Sequence, residues 1–345
     1  MLKNELFLKA CRREGVDQTP VWIMRQAGRY MKEYRELRKK VDFLTLCKTP
    51  ELALEASMLP VEILKIDAAI LFSDILIPVE AMGMDLSFTD SGPVLGNPIQ
   101  NEEQVESLTV PLVEEKLFFV FDAIRLIQKT LEGRLPLLGF SGAPYTLATY
   151  MVEGRTSSNF YKIKKLLFSR PDLVHTLFKK LTETVTRYLQ LQIRAGVQAV
   201  QLFDTWAGTL SPETYREFAL PYTQQIVESL RPEGVPIILY VNGGGGLLEL
   251  MAGSGVDVVS IDWRVDIKEA KERIGSRVCL QGNLDPCFLY GNPANIRREV
   301  KRILEGFGRG NGHIFNLGHG ILPDTPVENA IALVEAVHEE SRCFH

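Results

Sequence analysis

Eight short apolar runs separated by longer amphipathic stretches predict an α/β fold, a (β/α)8 TIM barrel. Three observations carry the prediction. Most of the short runs are apolar without interruption, as strands covered on both faces must be. The stretches between them place apolar residues at the 3.6-residue period of a helix. No G-x-G-x-x-G follows the first run and the last unit ends in a helix, and both weigh against the competing doubly wound open sheet. No low-complexity linker interrupts the alternation, so residues 1–345 read as one domain.

The strand candidates are residues 20–24, 68–72, 135–140, 199–203, 236–241, 256–261, 277–281 and 313–317. Helix starts are marked between them. Thr49-Pro50-Glu51 and Ser211-Pro212-Glu213 each set a cap residue before a helix-starting proline. Thr325 and Glu328 make a capping-box pattern before AIALVEAV. Residues 172–192 hold a long helical period that stops at Gly196. Residues 82–97 (MGMDLSFTDSGPVLGN) depart from the alternation and predict a small β excursion after strand two.

Hydrophobic residues at 46% and charged residues at 24% fit an ordinary packed globule. A net charge of −4 gives no general attraction to nucleic acid or to an anionic membrane. Any anion site must therefore gather positive charge locally. No apolar run approaches the ~20 residues of a membrane span. The start, MLKNELFLKACRREG, carries Glu5 and Glu14 and lacks the unbroken apolar core of a secretory signal. Cys11, Cys47, Cys279, Cys287 and Cys343 are scattered, without C-x-x-C. They read as reduced thiols, which points to a soluble, cytoplasmic protein with no metal site.

Reactive groups of a barrel sit at the C-terminal ends of the strands and in the loops that follow. Polar groups fall at all eight of these mouths, among them Arg25, Asp74, Tyr145, Asp204, Asn242, Asp262, Asn283 and His319. Residues 25–40 carry seven basic and two acidic side chains, a local charge of +5 on an acidic protein. If this loop is helical, Arg25 and Arg29 share a face at i and i+4. Two guanidinium forks side by side suit a substrate with several carboxylates. Lys32 through Lys40 read instead as a solvated basic face. Asp74 directly follows an apolar strand, so it needs a partner: a structural ion pair with Arg25 or Arg29, or a cluster of substrate N–H groups. His319 lies between two glycines, which mark either close approach of a ligand or a plain tight turn. Tyr150 reads as a rim or core tyrosine as readily as a site residue, and Thr205 as a turn cap. The run 243–246 reads first as a flexible connection. Its backbone N–H groups suit phosphate, but no P-loop Lys-Ser/Thr follows.

Longer strings at these mouths resemble the uroporphyrinogen decarboxylase family. They are PVWIMRQAGRYM from Pro20, LFSDIL from Leu71, GFSGAPYTL from Gly139, TYMVEG from Thr149, FDTWAG from Phe203 and NLGHG from Asn316. The resemblance runs in order from about residue 4 to about residue 337. It implies a TIM barrel that needs no metal or organic cofactor. It implies conversion of uroporphyrinogen III to coproporphyrinogen III on the route to haem, by a homodimer with facing pocket mouths. Carried over by position, Arg25 and Arg29 bind substrate carboxylates and Asp74 accepts hydrogen bonds from the pyrrole N–H groups. Gln26, Ala27, Gly28, Tyr150, Thr205 and His319 contact substrate, with Arg25, Asp74 and Tyr150 closest to the chemistry. The chain departs from the family pattern in three places. Met31-Lys32 stands where Leu-Pro is usual, Thr205 stands where serine is common, and 243–246 is a variable loop.

The chemistry fits these groups. Loss of CO2 from an acetate on a pyrrole needs an electron sink, which protonation of the ring carbon supplies. Asp74 would stabilise the cationic ring through its N–H groups. The resemblance places Arg25 near the proton transfer, and the basicity of a guanidine points to a water or substrate carboxyl relayed through it. Two other readings remain. A corrinoid-linked methyltransferase of the same fold family would carry zinc on His and Cys ligands, yet strand five leads into Val241-Asn242-Gly243 and His319 has no cysteine neighbour. A non-catalytic tetrapyrrole carrier could dispense with Asp74 or Tyr150, and both are present.

Overall fold

A computed structural model describes residues 2–89, 92–157 and 159–345. Seven strands form one curled, wholly parallel sheet. In order across the sheet they are β1 (Ala69–Ile70), β4 (Leu137–Gly142), β5 (Ala199–Phe203), β6 (Ile237–Tyr240), β7 (Val258–Ser260), β8 (Cys279–Gln281) and β9 (His313–Ile314). Parallel neighbours need crossover connections, and helices supply them. β2 (Leu86–Thr89) and β3 (Gly92–Leu95) form a separate antiparallel pair, which is the excursion the sequence predicts. Asp90 and Ser91, between these strands in the sequence, lie outside the described residues.

The register alternates side chains between the interior and the surrounding helices. Ala68, Leu138, Ala199, Ile238, Val258, Cys279 and Ile314 form one buried cluster drawn from all seven strand segments. Phe7, Leu8, Ala10 and Cys11 of the helix Leu6–Cys11 pack into the same cluster. That helix stops the N-terminal end of the sheet with apolar side chains. Two residues further along the strands, the interior turns polar. Trp22 Nε1 donates to Gln281 Oε1 (2.9 Å), and Gln281 Nε2 donates to Gln201 Oε1 (3.1 Å) and Ser260 Oγ (3.0 Å). Buried amides bonded to one another tie three strands in a single register.

The eighth strand expected at 20–24 is not one. The segment makes a single parallel bridge, Val21 to Phe315. Side-chain acceptors take the N–H groups a ladder would need. Val21 N–H goes to Asp67 Oδ2 (2.8 Å), Ile23 N–H to Gln26 Oε1 (3.2 Å) and Met24 N–H to Asn316 Oδ1 (2.9 Å). Pro20 has no N–H to give. The segment nevertheless spans the two edges of the sheet. Phe315 N–H donates to Pro20 O (2.8 Å) beyond β9, and Asp67 N–H to Val21 O (2.8 Å) before β1.

Of two helix starts, one follows its sequence pattern and the other does not. Ser211 caps Pro212–Phe218 by accepting Thr214 N–H (3.2 Å), as its sequence pattern requires. Thr325 does not cap. Pro326 takes the cap position of Val327–Glu340, and Thr325 Oγ1 is buried without a protein partner. The long helix Pro171–Ala195 ends where Gly196 turns to a φ of 124°, a value that suits glycine.

Asp67 joins the bridging segment to the C-terminal helix. Its Oδ2 accepts both Val21 N–H and His338 Nε2 (2.8 Å), and the residue is 5% exposed. Asp67→Ala leaves a buried N–H unpaired and should lower unfolding free energy by about 2 kcal/mol. Urea denaturation checks this, and an unchanged midpoint would count against the bridging role.

Candidate active site

Every group gathered at the C-terminal mouth is set by a local device. Residues 25–31 form turns, and helix begins only at Lys32. Arg25 and Arg29 therefore do not share a helical face, contrary to the i, i+4 expectation. Arg25 instead takes a left-handed φ of 62°, a conformation that costs a non-glycine residue about 1 kcal/mol. Gln26 holds it there. Fully buried, Gln26 accepts Ile23 N–H, donates to Ala68 O (3.3 Å), and gives its own carbonyl to Tyr30 Oη (2.6 Å). The Gln26 side chain is thus engaged inside the protein, while Ala27 and Gly28 remain half-buried. Arg29, like Arg25, is exposed, and its charge acts on the buried Tyr34.

Asp74 sits half-buried just past β1. Its Oδ1 accepts Leu76 N–H (2.9 Å). Desolvation pushes its carboxyl up to about 6, against the smaller downward pull of that N–H and of Arg25. Tyr150 is half-buried on the helix Pro144–Glu153, its ring edge-to-face with Trp206 at 6.0 Å. Burial raises the Tyr150 hydroxyl above its ordinary value, and the charge of Asp74 adds to the shift. Thr205 is half-buried between Asp204 and Trp206.

His319 is placed by its two glycines. A Cβ on Gly320 would overlap the Arg25 side chain, coming within 2.8 Å of Cγ and closer still to Cδ. A Cβ on Gly318 would stand 2.6 Å from Trp263 N. The block 318–320 therefore fits between the first and sixth mouths only because both flanking residues lack side chains. His319 Nδ1 accepts Gly320 N–H (2.7 Å), which leaves the ring proton on Nε2. Burial pushes this imidazole down to about 4, helped by the charges of Arg25 and Arg264, so it is neutral near pH 7. Its ring ends an edge-to-face series: Phe140 to Phe203 (5.7 Å), Phe203 to Tyr240 (6.0 Å), Tyr240 to His319 (6.2 Å).

The mouth thus offers one desolvated carboxylate, a guanidinium beside it, a neutral imidazole donor and an aromatic wall. The Arg25 charge acts on Asp74, Tyr150 and His319, and none of the three feels Arg29. Among the described residues, no three His, Cys, Asp or Glu side chains gather as metal ligands. Two further acids shape the site. Asp204, fully buried, accepts Thr146 N–H (3.2 Å) and Thr146 Oγ1 (2.8 Å) at the start of the helix that carries Tyr150. Desolvation raises it to about 7. Asp262, equally buried, accepts Gly243 N–H and Arg264 N–H. Gly243, with a φ of 76°, is followed by the 3-10 turn Gly244–Leu247, so the glycine run is ordered backbone and not a loose connection.

The family model for uroporphyrinogen decarboxylase (URO-D) matches residues 2–340. The chain belongs to the uroporphyrinogen decarboxylase family. Relatives named uroporphyrinogen decarboxylase include one from Idiomarina loihiensis, 49% identical over 100% of this chain and 98% of its own length. Another, from Coxiella burnetii, is 51% identical over 99% and 96%. The family fold is also seen in a solved methyltransferase from Methanosarcina mazei, 26% identical at a TM-score of 0.82, covering 96% of this chain and 97% of that one. No helix among the described residues is long and apolar enough to cross a membrane.

Gly320→Ala should push Arg25 out of place and lower kcat/KM for uroporphyrinogen by about 10- to 100-fold. Steady-state kinetics on protein with an unshifted unfolding midpoint tests this. Wild-type kcat/KM would show that Arg25 is free to sit elsewhere.

Proposed function

We propose that this chain decarboxylates the acetate side chains of uroporphyrinogen III to give coproporphyrinogen III. The reading takes residues 1–345 as one domain, with 20–24 in the place of an eighth strand, acting in the cytoplasm as a homodimer. The observation that carries it is Asp74, a carboxylate that remains ionised at neutral pH while partly stripped of water. The pyrrole N–H groups of a tetrapyrrole converge on the ring centre, and one carboxylate there can accept from several of them.

The reaction then proceeds within one ring. A proton adds to the ring α-carbon next to the one that bears the acetate, which leaves the acetate-bearing carbon conjugated to the iminium. The bond between the acetate methylene and its carboxylate breaks, and its electron pair flows into the cationic ring as CO2 leaves. Loss of the ring proton and protonation of the methylene complete the methyl group. Asp74 opposes the developing positive charge, and a fixed charge in a site poor in water acts more strongly than one in bulk solvent. Arg25 holds a carboxylate beside the reacting ring. Neutral His319 donates from Nε2 without adding charge, and Tyr150 and Thr205 line the pocket. Arg29, farther out on the loop, meets carboxylates at the lip.

Anaerobic incubation with uroporphyrinogen III, then oxidation and chromatography, tests the reading. Stepwise products with seven, six, five and four carboxylates are expected, and unchanged substrate from folded protein would overturn it. Asp74→Asn should retain affinity and lose about 100-fold or more in kcat. The sign of the pH dependence follows from the raised pKa. Asp74 protonates as pH falls through about 6, so kcat/KM should drop below that pH with a single-proton slope. A rate constant flat down to pH 5 would remove Asp74 from this role. Sedimentation at micromolar concentration tests the homodimer, and a monomer would refute it.

A further inference from the structure

The block 318–320 touches two loops, and only one of them has been given a ligand. Gly320 rests on Arg25, and Gly318 rests on the backbone of Trp263. The next residue is Arg264. Its Nη1 donates to Asp262 Oδ2 and to Asn242 Oδ1, both at 3.0 Å. Its guanidinium lies over the Trp263 ring, 4.3 Å from the centroid. These contacts use one nitrogen and one face of the fork. Among the described residues Nη2 and Nε donate to nothing, and the side chain is 53% exposed. An arginine kept only to neutralise Asp262 would have little reason to be held this way. The Asp262 carboxylate already accepts two backbone N–H groups, from Gly243 and from Arg264 itself. The Arg264 charge also acts on Tyr240 and His319, two of the groups on which Arg25 acts from the other side of the block.

We propose that Arg264 is a further carboxylate-binding arginine of the mouth, gripping a peripheral carboxylate of the tetrapyrrole on the opposite side of the 318–320 block from Arg25. The proposal rests on the decarboxylase reading and deepens it. The substrate carries carboxylates all around its ring, and an arginine on one side leaves the ring free to pivot. A cation on the opposite side, stacked and pinned in advance, fixes which pyrrole faces the reacting position. Pre-organisation of this kind lowers the entropic cost of binding.

Arg264→Gln keeps a polar side chain and removes the charge. In the full-length protein it should raise KM for uroporphyrinogen III by about tenfold or more while kcat falls less. Arg264→Lys should recover part of the loss, because it restores the charge without the fork. Quenching of tryptophan fluorescence by uroporphyrin, the oxidised octacarboxylate, reads affinity without turnover and should weaken in parallel. The effect should shrink at high salt, which a purely structural role would not cause. Unchanged KM and uroporphyrin affinity in folded Arg264→Gln would overturn the proposal. If the wild-type chain binds uroporphyrin but does not turn over uroporphyrinogen, the decarboxylase reading fails. Weakened uroporphyrin binding by Arg264→Gln would then still support the arginine as a carboxylate grip. Should the glutamine variant fail to fold, Arg264→Thr takes its place in the same assays.

Discussion

A carboxylate that keeps its charge in a place poor in water is the constraint on which this site depends. Asp74 pays for its position with lost hydration, offset only in part by Leu76 N–H and the nearby Arg25. Protonation relieves the strain. The proton's preference for the folded state is fully present below the ordinary carboxylate pKa and is gone above about 6, so at neutral pH the ionised group detracts from stability. The rest of the mouth is consistent with holding that charge. The turn at Gln26 fixes Arg25 in a left-handed conformation, and its side chain lies against Gly320. The two glycines let the 318–320 block close against Arg25 and Trp263, and burial keeps the imidazole neutral, so it does not compete for the acid.

Much of this was legible in the sequence because parallel strands and barrel mouths leave strong marks. Seven of the eight apolar runs became strands, and the polar residues that follow them do stand together at one end. The run at 20–24 misled because its composition is that of a strand while its hydrogen bonds are not. Asp67, Gln26 and Asn316 claim its N–H groups, and two of these three acceptors lie more than 40 positions away in the chain. Periodicity reads side chains and carries no information about distant acceptors.

The same limit applies to the site. The pairing of Arg25 with Arg29 followed from helix spacing, but Gln26 closes a turn there before a helix can form. Thr325 matches a capping pattern, yet the proline after it takes the cap position. Asp204 was visible at its mouth, but its role in holding the helix of Tyr150 depends on Thr146, which only the folded chain brings near. Arg264 gave no signal by spacing. What distinguishes it is a stack on Trp263 and a buried acid beneath it, both properties of three dimensions.

The central claim is that desolvation at the mouth raises the Asp74 pKa toward neutral pH while the group stays ionised there. Direct titration of its side-chain carboxyl by carbon-13 NMR, in the ligand-free folded protein with Asp74→Asn to assign the signal, measures this without any catalysis. The account predicts a midpoint near pH 6. A midpoint at the ordinary aspartate value of about 4 would contradict it, because Asp74 would then be a well-solvated surface acid.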